Sequence, residues 1–328
     1  AQSEGVALAD VDGDGDADAV VANWADGNTI WENDGTGSFS DTGQSLGTAS
    51  SNDIALADVD GDGDVDAVTG VSRSGNKVWL NQGGVQNGAM GTFSDSGQAL
   101  GSRSSYGIAL GDVDGDGDPD IIAVNWYNDV NANTVWENNG EGSFSNSDGG
   151  NIPKQLLGAE NSRGVKLADV DNDGDLDAVV GNYSDGGLVA WENDGSGVFA
   201  SSDDGNLPKQ AFGTGYNYGA PRGVALADVD GDGNTDTVVA NFVGPNKIWE
   251  SDGAGIRPRG LLTDDGQSLG GNTTHGVALG DLDGDGDRDA LAVNDGANVV
   301  YTNDGSGTLN SSDAPSVRES DGEGVGDH

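Results

Sequence analysis

The chain contains no cysteine, so disulfide bridges and thiolate chemistry are excluded. Aromatic residues are scarce at 6%, and hydrophobic residues make up only 34% of 328 positions. That is too little for one large continuous core, but it suits many small equivalent ones. Basic residues are scarcer still: 13 Lys and Arg stand against 57 Asp and Glu, a net charge of −44. Nucleic acid is a poor partner for such a chain, because phosphate contacts need a basic face. Histidine occurs only as His275 and His328, so there is no histidine metal site. No phosphate-cradling loop is present either. No apolar run is long enough to cross a membrane as a helix, and Ala1 opens without a charged, apolar leader. Sustained helical periodicity is missing throughout.

Glycine, by contrast, is abundant at 58 residues, as short strands joined by tight turns require. Six internal repeats account for it. Residues 5–18 read GVALADVDGDGDAD, and the unit returns as DIALADVDGDGDVD from Asp53 and GIALGDVDGDGDPD from Gly107. It recurs as GVKLADVDNDGDLD from Gly164, GVALADVDGDGNTD from Gly223 and GVALGDLDGDGDRD from Gly276. The loops start at Asp10, Asp58, Asp112, Asp169, Asp228 and Asp281, spaced by 48, 54, 57, 59 and 53 residues. This period fits one four-stranded propeller blade with variable loops.

Each repeat divides into four strand-like pieces. Val6-Ala7-Leu8-Ala9 alternates with period 2, and its small residues suit a strand crowded near a central axis. A second strand follows the acidic loop, as in Ala19-Val20-Val21-Ala22. The third carries Trp31, Trp79, Trp136, Trp191, Trp249 or Tyr301 before a polar turn such as Asn33-Asp34-Gly35, a hairpin signal. A large ring at one fixed mid-strand position reads as inter-blade packing. The fourth strand starts at Phe39, Phe93, Phe144, Phe199 or Leu309, and the fifth repeat departs there with Arg257-Pro258-Arg259. The expected fold is an all-β propeller of six four-stranded blades, with a seventh left open. The repeats span about 1–48, 49–102, 103–159, 160–218, 219–271 and 272–313. Residues 314–328 form a tail that would close the ring or touch another subunit, and Glu323-Gly324-Val325 within it echoes Glu4-Gly5-Val6.

The acidic loop has the chemistry of a Ca²⁺ site, since calcium takes six to eight hard oxygens in a loose geometry. Carboxylates at loop positions 1, 3 and 5 can curl around one ion. Glycine at position 6 permits the sharp turn, position 7 offers its carbonyl, and the acid at position 9 can close the shell with both oxygens. The candidate ligands are Asp10, Asp12, Asp14, Asp16 and Asp18, then Asp58, Asp60, Asp62, Asp64 and Asp66, and Asp112, Asp114, Asp116, Asp118 and Asp120. The later loops supply Asp169, Asp171, Asp173, Asp175 and Asp177, then Asp228, Asp230, Asp232, Asn234 and Asp236, and Asp281, Asp283, Asp285, Asp287 and Asp289. Without a cation these carboxylates would repel one another by about 1–4 kcal/mol per pair. Mg²⁺ fits less well, because it demands a tight octahedron. Six Ca²⁺ would return +12 and leave −32, a balance suited to a saline setting or to an ordinary acidic secreted protein. Such sites fill reliably where calcium is near millimolar, so the expected location is secreted or at the cell surface.

These units, with the AVVAN and IWENDG segments that follow the first of them, resemble the FG-GAP/VCBS repeat family, also found in the propeller of integrin α subunits. The resemblance covers residues 5 to about 310. It implies blades with structural calcium between the first two strands. For function it implies adhesion, lectin-like binding or polysaccharide cleavage.

Two sets of positions remain for a ligand on the face away from the metal loops. Trp24, Trp126, Tyr183 and Phe242 follow an asparagine at the end of the second strand. A ring there can stack on a sugar's C–H face while the amide bonds hydroxyls, or it can simply cap the blade. Just before each first-strand core lie Glu4, Asn52, Tyr106, Arg163, Arg222 and His275, which vary on a constant scaffold. Tyr106, Arg163, Arg222 and His275 would be the material for a lyase, but one ring of unlike residues is thin support for catalysis. The expectation is a non-enzymatic glycan-binding or adhesion module. The alternatives are a self-assembling subunit of a filament, sheath or surface layer, and a polysaccharide-cleaving enzyme. The partners would be a glycan, a surface protein or further copies of the chain.

Overall fold

The computed structural model describes residues 2–83, 88–126, 132–145, 154–158, 161–183, 187–200, 211–212, 221–251, 262–271 and 273–311. Arg257–Arg259 and the tail 314–328 lie outside the described residues. Six four-stranded antiparallel blades in a ring form a six-bladed β-propeller. Blade 1 runs through Gln2–Ala9, Asp18–Trp24, Asn28–Asn33 and Phe39–Leu46 in simple meander order. In blades 3 and 4 the outer strand is split into two short pieces, Phe144–Ser145 with Gln155–Leu157, and Phe199–Ala200 with Ala211–Phe212. The fourth strand of blade 5 is Leu262–Asp264.

First strands line the axis, and those of blades 1 to 5 each pack against the first strand of the next blade. Period-2 alternation turns one set of side chains toward the following blade and the other toward the preceding one. Five hydrophobic clusters result. Between blades 1 and 2, Val20, Ala22 and Ile30 meet Ile54, Ala67 and Trp79. The same register positions recur at the other four seams. At these seams Trp136 is 1% exposed, Tyr301 6%, and Trp79 and Trp191 8%, and they pack between blades as read from the sequence; Trp31 of blade 1 is 36% exposed and does not. Asparagine at the end of the third strand adds a latch: Asn81, Asn138, Asn193 and Asn303 donate Nδ2 to the carbonyls of Val11, Val59, Val113 and Val229 in the preceding blade.

The sixth seam differs. Among the described residues no cluster joins blade 6 to blade 1. Val6 and Leu8 are 60% and 63% exposed, and Leu282 is 53% exposed where its counterparts Val11 and Val59 are at 1% and 0%.

Candidate functional site

At one end of every blade the acidic loop is wound by its own carboxylates. Asp10 accepts the N–H of Gly13 at 2.7 Å and of Gly15 at 2.9 Å. Asp14 accepts from Asp16 at 2.9 Å. The turn needs a left-handed residue at position 6, and Gly15, Gly63, Gly117, Gly174, Gly233 and Gly286 have φ between 90° and 103°. Oxygens of Asp10, Asp12 and Asp18 lie within 4.8 Å of one another, as do those of Asp58, Asp60 and Asp62, of Asp112, Asp114 and Asp120, and of Asp169, Asp171 and Asp177. The donor set is all hard oxygen, and Asp62 Oδ2 and Asp64 Oδ2 are buried without a hydrogen-bond partner. These residues fit a Ca²⁺ ion.

Position 9 has a second role that the sequence reading missed. Asp18 is fully buried, and its oxygens accept from Val11 N and Asn33 N, both at 2.9 Å. Asp66, Asp120, Asp177, Asp236 and Asp289 repeat this arrangement. Each clamps the loop to the third strand, so only its remaining lone pairs can face an ion, rather than a free bidentate carboxylate. Burial pushes the carboxyls of Asp66 and Asp120 up to about 7 and that of Asp177 up to about 8. A bound cation would hold them ionised. The position-7 side chains Asp16, Asp64, Asp118, Asp175 and Asp287 turn against Gly35, Gly83, Gly140, Gly195 and Gly305 of the third-strand turn. Sequence reasoning also passed over Glu192, which joins Asp171 and Asp173. The recurring Trp-Glu-Asn triplet was the signal for it.

The opposite end carries a second constellation. In each blade the first strand skips one residue in its pairing with the second, and the skipped residues are Glu4, Asn52, Tyr106, Arg163, Arg222 and His275. A bulge re-aims the extra side chain. Here it brings four of them beside the ends of the second strands. The result is an arc across blades 3 to 6. Ring centroids are 5.3 Å apart for Tyr106 and Trp126, 4.7 Å for Trp126 and Tyr183, 6.1 Å for Tyr183 and Phe242, and 5.9 Å for Phe242 and His275.

Two guanidiniums are threaded through this arc. Arg163 Cζ lies 3.7 Å from the Trp126 centroid and 5.0 and 5.1 Å from those of Tyr106 and Tyr183. Arg222 Cζ lies 3.9 Å over Phe242, and its Nη1 is 2.5 Å from His275 Nδ1. His275 Nε2 in turn is 2.7 Å from Asp295 Oδ1, an order that fits a neutral ring accepting at Nδ1 and donating at Nε2. Burial, and then the like charge of Arg222, lower Arg163 to about 10. Trp24, at the equivalent place on blade 1, is 37% exposed and makes no ring contact among the described residues.

The asparagines before these rings do not serve as expected. Asn23, Asn125, Asn182 and Asn241 are buried to 1–2% exposure. Asn23 Nδ2 donates to Gly27 O, Asn125 Nδ2 to Ala132 O, and Asn241 Nδ2 to Pro245 O. Their amides brace the loop between second and third strands and are not offered to a sugar. Backbone groups in a tight loop need partners, and an adjacent amide is the cheapest source.

A family model described as FG-GAP-like repeat matches residues 10–69, 58–123, 112–180, 169–239 and 228–292. No curated protein matches the chain. Among solved structures, a lectin of Agrocybe aegerita with specific recognition of non-reducing terminal N-acetylglucosamine is 22% identical, with a TM-score of 0.55, over 93% of this chain and 78% of that one. The BP39L lectin of Burkholderia pseudomallei is 16% identical with a TM-score of 0.65, over 93% and 82%. BBS1N, solved in complex with ARL6DN, is 9% identical with a TM-score of 0.57, over 92% and 79%. At these identities the likeness is one of fold.

Proposed function

The chain belongs to the FG-GAP-like repeat family, and on that premise we propose that it is a glycan-binding module, exported and stabilised by calcium. The observation that carries the reading is the arc of Tyr106, Trp126, Tyr183 and Phe242 at one mouth of the ring. Rings set side by side at a rim offer a platform for the C–H faces of consecutive sugar units, and guanidiniums between them supply donors to hydroxyls. Two of the fold relatives are lectins, which supports the same assignment. Calcium would be held by the Asp10- to Asp281-type loops at the far end. It acts there as a brace for the blades and takes no part in recognition. Catalysis gains no support from the arc, since both nitrogens of His275 are already engaged, by Arg222 and by Asp295.

A glycan and polysaccharide binding screen in calcium tests this reading. Saturable binding is expected for the wild type and for Trp24→Ala, and loss of binding for the Trp126→Ala/Tyr183→Ala double variant. Binding that survives the double variant, or absence of binding across neutral and acidic glycans alike, rules the arc out as a sugar site.

A further inference from the structure

We infer that the saccharide taken at this mouth is an acidic one, carrying a carboxylate or a sulfate; this rests on the glycan-binding reading above. The chain holds 13 basic side chains against 57 acidic ones, yet Arg163 and Arg222 stand on adjacent first strands at the same bulge position. Among the described residues Lys77 pairs with Asp95, Lys154 with Asp114 and Glu137, and Lys247 with Asp264. Among the described residues no carboxylate lies within 4.0 Å of either guanidinium, and Nε of each is buried without a hydrogen-bond acceptor. Glu4 acts on both guanidiniums and Asp295 on Arg222 from farther off, so among the described residues the pair is left with its donors free of a contacting carboxylate. A planar guanidinium matches a carboxylate or sulfate with two parallel bonds, while the adjoining Trp126 and Tyr183 rings receive the sugar face. Repulsion from the remaining acids is screened beyond about 8 Å at physiological salt, so the local pair decides.

The test compares three oligosaccharides of equal length, one neutral, one uronate and one sulfated, on the full chain in calcium. The uronate or the sulfated ligand is expected to bind at least about tenfold tighter than the neutral one, a difference of about 1.4 kcal/mol. That preference should fall with added salt and vanish in Arg163→Gln, with Arg163→Lys intermediate. The better of the two acidic arms tells carboxylate from sulfate. Neutral and acidic ligands bound alike by wild type and Arg163→Gln would overturn the inference and leave glycan binding standing. No binding by any arm would overturn both.

Discussion

The guanidinium carbon of Arg163 lies 3.7 Å from the centroid of the Trp126 ring, on the neighbouring blade. Neither residue is near the other in sequence, and the contact exists only because a bulge lifts Arg163 out of its strand pairing while Trp126 ends the second strand of blade 3. Stacking favours the cation by about 0.5–2 kcal/mol, while burial and the like charge of Arg222 oppose it.

The first prediction follows from that balance. Arg163→Met keeps the packed stem and removes the charge. Its unfolding free energy should change by less than about 1 kcal/mol, as read by denaturant titration. A loss several times larger would show that the arc is a structural cap.

Calcium removal should destabilise the fold strongly. A ligand that binds the native state alone, at a hundredfold above its Kd, adds about 2.7 kcal/mol per site, and there are six loops. Chelation should lower Tm substantially, with recovery on adding Ca²⁺ and little on adding Mg²⁺. An unchanged melt would sink the metal assignment.

Asp53 gives a pH-dependent signature away from the loops. It lies on the first strand of blade 2 and accepts the N–H of Ile108 at 2.8 Å. Burial raises its carboxyl from 3.8 to about 6. The native state therefore holds the proton more tightly than the unfolded chain, so stability falls as pH rises through the interval from 3.8 to about 6. The full penalty is present above that interval. Asp53→Asn keeps the acceptor and loses the charge. It should melt higher than wild type at neutral pH, and the difference should shrink toward zero near pH 4. An equal difference at both pH values would contradict this.

The inter-blade latch should be worth more inside the ring than at the open seam. Asn193 Nδ2 serves both Val113 O at 2.7 Å and Leu176 O at 3.1 Å. Asn193→Ala strands two buried carbonyls and should cost about 1–3 kcal/mol. Asn33→Ala loses only a bond within blade 1 to Ala17 O and should cost visibly less. Equal losses in thermal melts would show that blade 1 is latched like the others.

Much of this was legible in the chain itself. The six-fold recurrence of Asp-x-Asp-x-Asp-Gly pointed to six blades, with a seventh left open, and marked the glycine turn at Gly15, because a left-handed backbone leaves few residue choices. The fixed Trp of the third strand announced its packing role, because period-2 alternation already decides which face it occupies. Other features needed the tertiary structure. The asparagine at Asn23 or Asn125 looks like a ligand donor in sequence, and only the path of the neighbouring loop shows its amide consumed. The bulge that gathers Tyr106, Arg163, Arg222 and His275 leaves no mark in composition, since a skipped residue is a matter of pairing and not of identity. The exposure of Leu8 and Val293 is likewise invisible in repeats that read alike. Local spacing determined the blades, loops and turns, because their physics is contained within one repeat. Which faces are sealed, and which side chains converge at the mouth, was decided by contacts between repeats, which no single repeat encodes.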